Sequence, residues 1–229
     1  GQTGDGIRAD FAVTGEKVAG AAAAELQSAA DTYKEWVEDQ SQDLLAGTTA
    51  FVAAVKAGDV AKAKALYAAT RVHWERIEPV AESFGDLDPK MDAREADLEQ
   101  GQKWTGWHRI EKDLWPQKAQ GYTPLTAAER KVFADDLVAN TQVLYDRTRS
   151  LELTADAIGN GAKELLDEVA TGKVTGEEEY WSGTDLYDIQ ANVDGARVGW
   201  QTLQPLLQRK DAALDTQIGT RFAELQKVL

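Results

Sequence analysis

The chain has no cysteine. That excludes disulfides, zinc–thiolate and iron–sulfur sites and cysteine nucleophiles, so any metal must be held by oxygen and imidazole. Imidazole is scarce too, because the 229 residues include only two histidines, His73 and His108. A zinc site with two or three histidine ligands is thus barely open to this sequence. No run approaches the roughly 18 consecutive apolar residues that a membrane-spanning helix needs. His-Glu-x-x-His and its inverse, Gly-x-Ser-x-Gly and the P-loop are all missing. Basic residues are outnumbered, 25 against 39 acidic ones, giving a formal net charge of −14. Such a polyanion disfavours nucleic acid and anionic lipid; it favours cations or a basic partner surface, and it also serves plain solubility.

Helical signals dominate what is present, and the alternation expected of strands is almost absent. Residues 1–13 read as a flexible tail, polar and Gly-rich at the start, without the apolar core of a signal peptide. If the protein is exported, this is its mature part. From Lys17 to about Ala57 apolar residues recur every three or four positions, at Val18, Ala22, Leu26, Ala29, Tyr33, Trp36 and Val37. Gly58-Asp59 interrupts the pattern, and Asp59 can cap a second helix that ends near Phe84, kinked or shortened by Pro79. A helix is expected at about Thr105–Trp115, and the capping box Thr126-Ala-Ala-Glu129 opens one running toward Leu153. Others should cover about Ala155–Ala170, Asp185–Gln208 and Ala212–Val228.

Arg71-Val-x-Trp74-x-x-Ile77-x-Pro79 recurs as Arg197-Val-x-Trp200-x-x-Leu203-x-Pro205. A shared Trp and Pro in so short a window indicate duplication, hence two related helical units, each a four-helix bundle or part of one. The units are expected at about 14–120 and 121–229. The copies differ in chemistry: Glu75 corresponds to Gln201, Glu78 to Gln204 and His73 to Gly199. Ionisable function therefore belongs to the first copy.

On a helix, Trp104, His108, Glu111 and Trp115 share one stripe. Two aromatics should turn it inward, carrying His108 and Glu111 into an apolar setting. A buried carboxylate there needs a partner: a metal, an arginine or a lysine. Glu75 and Glu78, three apart, either converge on one ligand or form a solvated acidic face or pairs with Arg71 or Arg76. His73 shares a face with Leu66 and Ile77, which suits a core histidine.

Gly106-Trp-His108-Arg-Ile-Glu111 matches the Gly-x-His-x-x-Glu signature of the imelysin-like family, which is also catalogued as a peptidase family. Three strings resemble its EfeO branch, the iron-binding component of a bacterial uptake system: His73 to Glu82, Leu87 to Glu95, and Thr184 to Ala196. The resemblance covers the chain from about residue 15. It implies an all-α bilobal imelysin-like fold and a metal site built from Glu75, Glu78, Asp92, His108 and Glu111. One glutamate of Glu177-Glu178-Glu179, with Glu178 preferred, joins them. It implies iron, Fe²⁺ or Fe³⁺, as the ion, with Zn²⁺ or Cu²⁺ able to bind in vitro, since such donors do not select strongly. It implies an exported protein in the periplasm or on the outer face of the cytoplasmic membrane, lipid-anchored through a missing N-terminus. An Efe permease and an EfeB-like haem peroxidase are the implied partners, and no peptidase activity is expected. Ser182-Gly183-Thr184 departs from the family's Ser-His-Thr, so a histidine ligand is lacking there if relatives use one. Because the ligands must be deprotonated to bind, metal should be released progressively below about pH 6.

Overall fold

In the computed structural model, which describes residues 20–229, the chain is all-helical; the expected tail at 1–13 lies outside the described residues. Eight α-helices follow in order: α1 Ala21–Ala57, α2 Val60–Glu82, α3 Asp88–Met91, α4 Trp107–Leu114, α5 Ala127–Thr148, α6 Ala155–Thr171, α7 Asp185–Lys210 and α8 Ala212–Leu225. Among the described residues there is no strand.

Local chemistry sets the boundaries. Gly58, at φ 72°, closes α1 in the left-handed conformation, and its N–H returns to the carbonyls of the last turn. Asp59 then accepts the Lys62 N–H and opens α2. Thr126 and Glu129 form a complete capping box at α5, and Thr154 and Asp211 cap α6 and α8. Pro79 and Pro205 both lie inside their helices, so neither ends its helix where it stands.

The largest apolar core joins α1, α2, α4 and α5 through Val37, Leu44, Phe51, Tyr67, Trp74, Trp107 and Leu137. Leu165, Val193, Ala196 and Phe222 form a smaller core among α6, α7 and α8. Packing does not follow chain order: α5, in the second stretch of sequence, lies along α1 and contributes to the larger core. The duplicated segments fall on α2 and α7, which pack against each other. Their tryptophans keep a common bond. Trp74 Nε1 donates to Asp92 at 2.6 Å, and Trp200 Nε1 to Asp215 at 3.1 Å. Close approach of these helices requires Gly195, where a Cβ would sit 2.4 Å from the Arg76 carbonyl oxygen.

The aromatic stripe expected on the helix of the signature is corrected. α4 starts at Trp107, so Trp104 lies before it, half-buried, with its indole N–H on the Ala93 carbonyl at 2.7 Å. Trp107 is the buried anchor instead, packed against Phe51 and Tyr67. Its burial turns His108 and Glu111 inward.

Candidate metal centre

The signature glycine explains how the centre is assembled. Gly106 precedes α4 at φ 88°, and a Cβ there would lie 2.1 Å from the Met91 carbonyl oxygen. Only a glycine lets the start of α4 sit against the end of α3, which brings His108 beside Asp92. Gly106→Ala should therefore cost about 3 kcal/mol or more, from backbone strain and displacement together. Thermal melting checks this, and a shift of less than about 2 °C would show that the close approach is dispensable.

His108 is the hub. Its Nδ1 lies 3.0 Å from Glu111 Oε2, and its Nε2 lies 3.4 Å from Asp92 Oδ1 and 3.5 Å from Glu178 Oε1. That Nε2 is buried and makes no hydrogen bond of good geometry. One donor atom each from Asp92, His108 and Glu178 falls within 4.8 Å of the others, and the same holds for His108, Glu111 and Glu179. Glu111 is firmly held: its Oε1 accepts the backbone N–H groups of Trp181 at 2.9 Å and Ser182 at 2.6 Å. It is therefore a compensated carboxylate, not the uncompensated charge that an apolar stripe would leave.

Glu75 and Glu78 go elsewhere. The Lys173 ammonium lies 2.6 Å from Glu75 Oε2 and 2.7 Å from Glu78 Oε2, and Asn192 donates to both. Glu75 also pairs with Arg71, the partner that the sequence left open for it. Arg71 is wholly buried; it binds Asp92 and Glu75, and its Nε lies 2.5 Å from Glu179 Oε1. His73, half-buried, meets Gln40 across α1 at 3.0 Å and takes no part in the centre.

Charge is unbalanced. Seven buried carboxyl groups (Glu75, Glu78, Asp92, Glu111, Glu178, Glu179 and Asp188) face three buried basic side chains, Arg71, Lys173 and His108. Without a further cation such a cluster must retain protons. Burial and the neighbouring Arg71 oppose a charge on His108, yet Asp92, Glu111 and Glu178 hold its pKa well above the ordinary imidazole value. Burial acts to raise Asp92, but Arg71 and His108 prevail and hold it far below the carboxylate range. Burial likewise opposes the charge on Glu111 and Glu178, and His108 lowers both. Burial wins at Glu179, which rises to about 7 despite Arg71. Asp188 rises well above its ordinary value, through burial and then Glu75 and Glu179, and neither of its oxygens has a hydrogen-bond partner.

Solvent reaches the cluster through two clefts. One, of about 770 Å³, is lined by Asp92, Glu178, Lys173 and the outer acids Glu82, Asp88 and Glu168. The other, of about 450 Å³, is lined by His108, Glu111 and Glu178 beside Tyr180 and Trp181.

An imelysin (Peptidase M75) family model matches residues 29–229. The chain belongs to the imelysin family. Similar relatives include an "Efem/EfeO family lipoprotein" of Staphylococcus aureus strain MRSA252, 42% identical over 209 residues, which are 90% of this chain and 72% of the relative. A protein of the same name from Staphylococcus haemolyticus strain JCSC1435 is also 42% identical, over 90% of this chain and 71% of its own length. In this imelysin chain the family signature supplies the centre's histidine and the carboxylate that orients it. Sequence reasoning does not place Lys173, Asp188 or Asn192 in the cluster, and it leaves Glu179 as an alternative to Glu178, whereas the structure brings both glutamates to it. Asp188 and Asn192 lie inside the string that resembles the EfeO branch, which is a signal for them; nothing marks Lys173.

Proposed function

We infer that this chain is the extracytoplasmic iron-binding component of an Efe-type uptake system. It captures iron at Asp92, His108 and Glu178, with Glu111 orienting the imidazole from behind, and gives it up to a partner. The observation that carries this reading is the buried, unbonded His108 Nε2 facing two carboxylates in a cluster with a surplus of acid. Oxygen and imidazole donors suit iron, and Zn²⁺ or Cu²⁺ should compete in vitro. Three protein donors leave coordination positions open, which suits an ion that must later leave. Glu75 and Glu78 act from behind, through Arg71 and Lys173. An Efe permease and an EfeB-like haem peroxidase are the proposed recipients. Export and a lipid anchor are proposed from the relatives' name, lipoprotein.

The peptidase in the family's label is the second reading. Metal-assisted hydrolysis needs a carboxylate free to take a proton from water. Glu111 has one oxygen committed to two backbone N–H groups and the other to His108, which disfavours that role.

Anaerobic titration with Fe²⁺ tests the binding reading. Wild type should take up the ion, and His108→Ala should bind it at least roughly tenfold more weakly, as expected for loss of a direct ligand. Equal affinity in the two proteins would remove His108 from the site and the proposal with it.

A further inference from the structure

Asp92, His108 and Glu178 are held unequally. Asp92 accepts the Trp74 indole N–H at 2.6 Å and pairs with the Arg71 guanidinium. His108 is fixed from behind by Glu111 at 3.0 Å, and Glu111 is itself fixed by two backbone N–H groups. Glu178 has no such support. It lies outside any helix, on the turn between Gly176 and Thr184. Its contacts are longer: Oε1 is 3.5 Å from His108 Nε2 and 3.8 Å from Arg71, and Oε2 is 3.7 Å from Arg94. An ion at Nε2 takes Oε1. The oxygen left for the protein to hold is Oε2, and the cation facing it is Arg94.

Arg94 is built into its place. It follows Asp92 by two residues, half-buried, on the segment between α3 and α4. Its Nε donates to Asp97 at 2.6 Å, while its Nη1 lies 3.0 Å from Glu177 Oε1 and faces Glu178. The rigid fork is thus anchored at one edge and reaches the turn with the other. Both neighbours are pinned as well. The Ala93 carbonyl accepts the Trp104 indole N–H at 2.7 Å, and Glu95 meets the Lys112 ammonium of α4 at 2.6 Å. Arg94, Asp97, Glu177 and Glu178 line both clefts, so this paired group stands where the two openings meet the ion's position.

We propose that Arg94 is a positioning residue for Glu178: by holding the outer carboxylate oxygen it keeps the inner one turned toward the ion at His108. This rests on the reading of the His108 centre as a metal site. Charge alone acts in the opposite sense. A guanidinium beside a cation site repels the ion, so its removal would tighten binding. A ligand that loses its outer partner instead binds more weakly, typically by about ten- to a hundredfold. The two effects differ in sign, so the direction of the change separates them.

The test is the Zn²⁺ affinity of the whole chain, by competition with a chelator, for wild type, Arg94→Gln, Glu178→Gln and the double variant. Arg94→Gln should bind roughly tenfold more weakly than wild type. With Glu178→Gln already present, Arg94→Gln should cost nothing further, because the group it positions is gone. Cu²⁺, which such donors bind more tightly, replaces Zn²⁺ throughout if Glu178→Gln falls below the measurable range. Unchanged or tighter binding in Arg94→Gln overturns the proposal. An equal loss with and without Glu178 overturns it too, since Arg94 would then act on the segment that carries Asp92. Failure of the His108 reading shows separately, as an affinity that His108→Ala leaves unchanged, and takes the proposal with it.

Discussion

Arg71→Met should destabilise the protein by about 3–5 kcal/mol, the cost typical of breaking a buried ionic network by removing one partner. For a chain of this length that corresponds to a drop in Tm of roughly 6–20 °C. Methionine fills much of the same volume, so the loss reports charge rather than a cavity. Arg71 is wholly buried and serves Asp92, Glu75 and Glu179 at once, each from a different segment: the end of α3, α2 itself, and the loop before α7. Three carboxylates would be left with one fewer counter-charge, in a cluster already short of them. The cluster would respond by holding more protons, so the gap between variant and wild type should narrow at about pH 5, where Glu179, raised to about 7 by burial, is neutral in both. Melting curves at two pH values check both parts. A drop of less than about 2 °C would mean that the cluster does not depend on this guanidinium.

The same arginine shows how far the sequence reaches. Helix boundaries were legible where capping chemistry marks them: Gly58-Asp59, Thr126 to Glu129, and the starts of α6 and α8. The nine-residue echo was legible because a shared Trp and Pro are rare in so short a window, and both segments are helical and bond their tryptophans alike. The inward turn of His108 and Glu111 was legible as well, although Trp107 and not Trp104 with Trp115 enforces it. What periodicity could not reveal is which acids meet cations. Glu75 and Glu78 share a face with the right spacing for a ligand pair, but Lys173 arrives from nearly a hundred positions away, on a turn with no pattern of its own. Spacing along one helix fixes which side chains can converge. What they converge on comes from another element, and only the packing of α2 against α6 and α7 decides it.

The apo protein should lose stability as pH rises through neutrality, while metal-induced stabilisation grows. His108 has a folded pKa well above its ordinary value of 6.5. A basic group raised in this way contributes stability that is complete below its unfolded pKa and is lost as pH climbs through the folded one. The raised carboxyls act in the same direction. Glu179 rises from 4.5 to about 7 in the fold, chiefly through burial, so the folded protein holds a proton that the unfolded chain releases, and stability falls across that interval. Asp188 and Glu78, also raised by burial, add to the fall. Asp92, Glu111 and Glu178 are lowered, so their contribution is present above the unfolded value and is lost only as pH falls through the lower folded pKa. Apo stability should thus peak on the acidic side of neutrality. Metal reverses the dependence, because an ion at His108 Nε2 must displace the proton that the imidazole carries opposite Asp92 and Glu178. The release expected below about pH 6 from an ordinary imidazole therefore moves upward: affinity should keep rising above neutrality, by roughly tenfold per pH unit while one proton is exchanged. Two series of melting curves from about pH 6 to about pH 8.5, with and without Zn²⁺, should diverge, and in His108→Ala the divergence should shrink. Parallel curves in wild type would show that the ion and the His108 proton do not compete, and would place the metal away from Nε2.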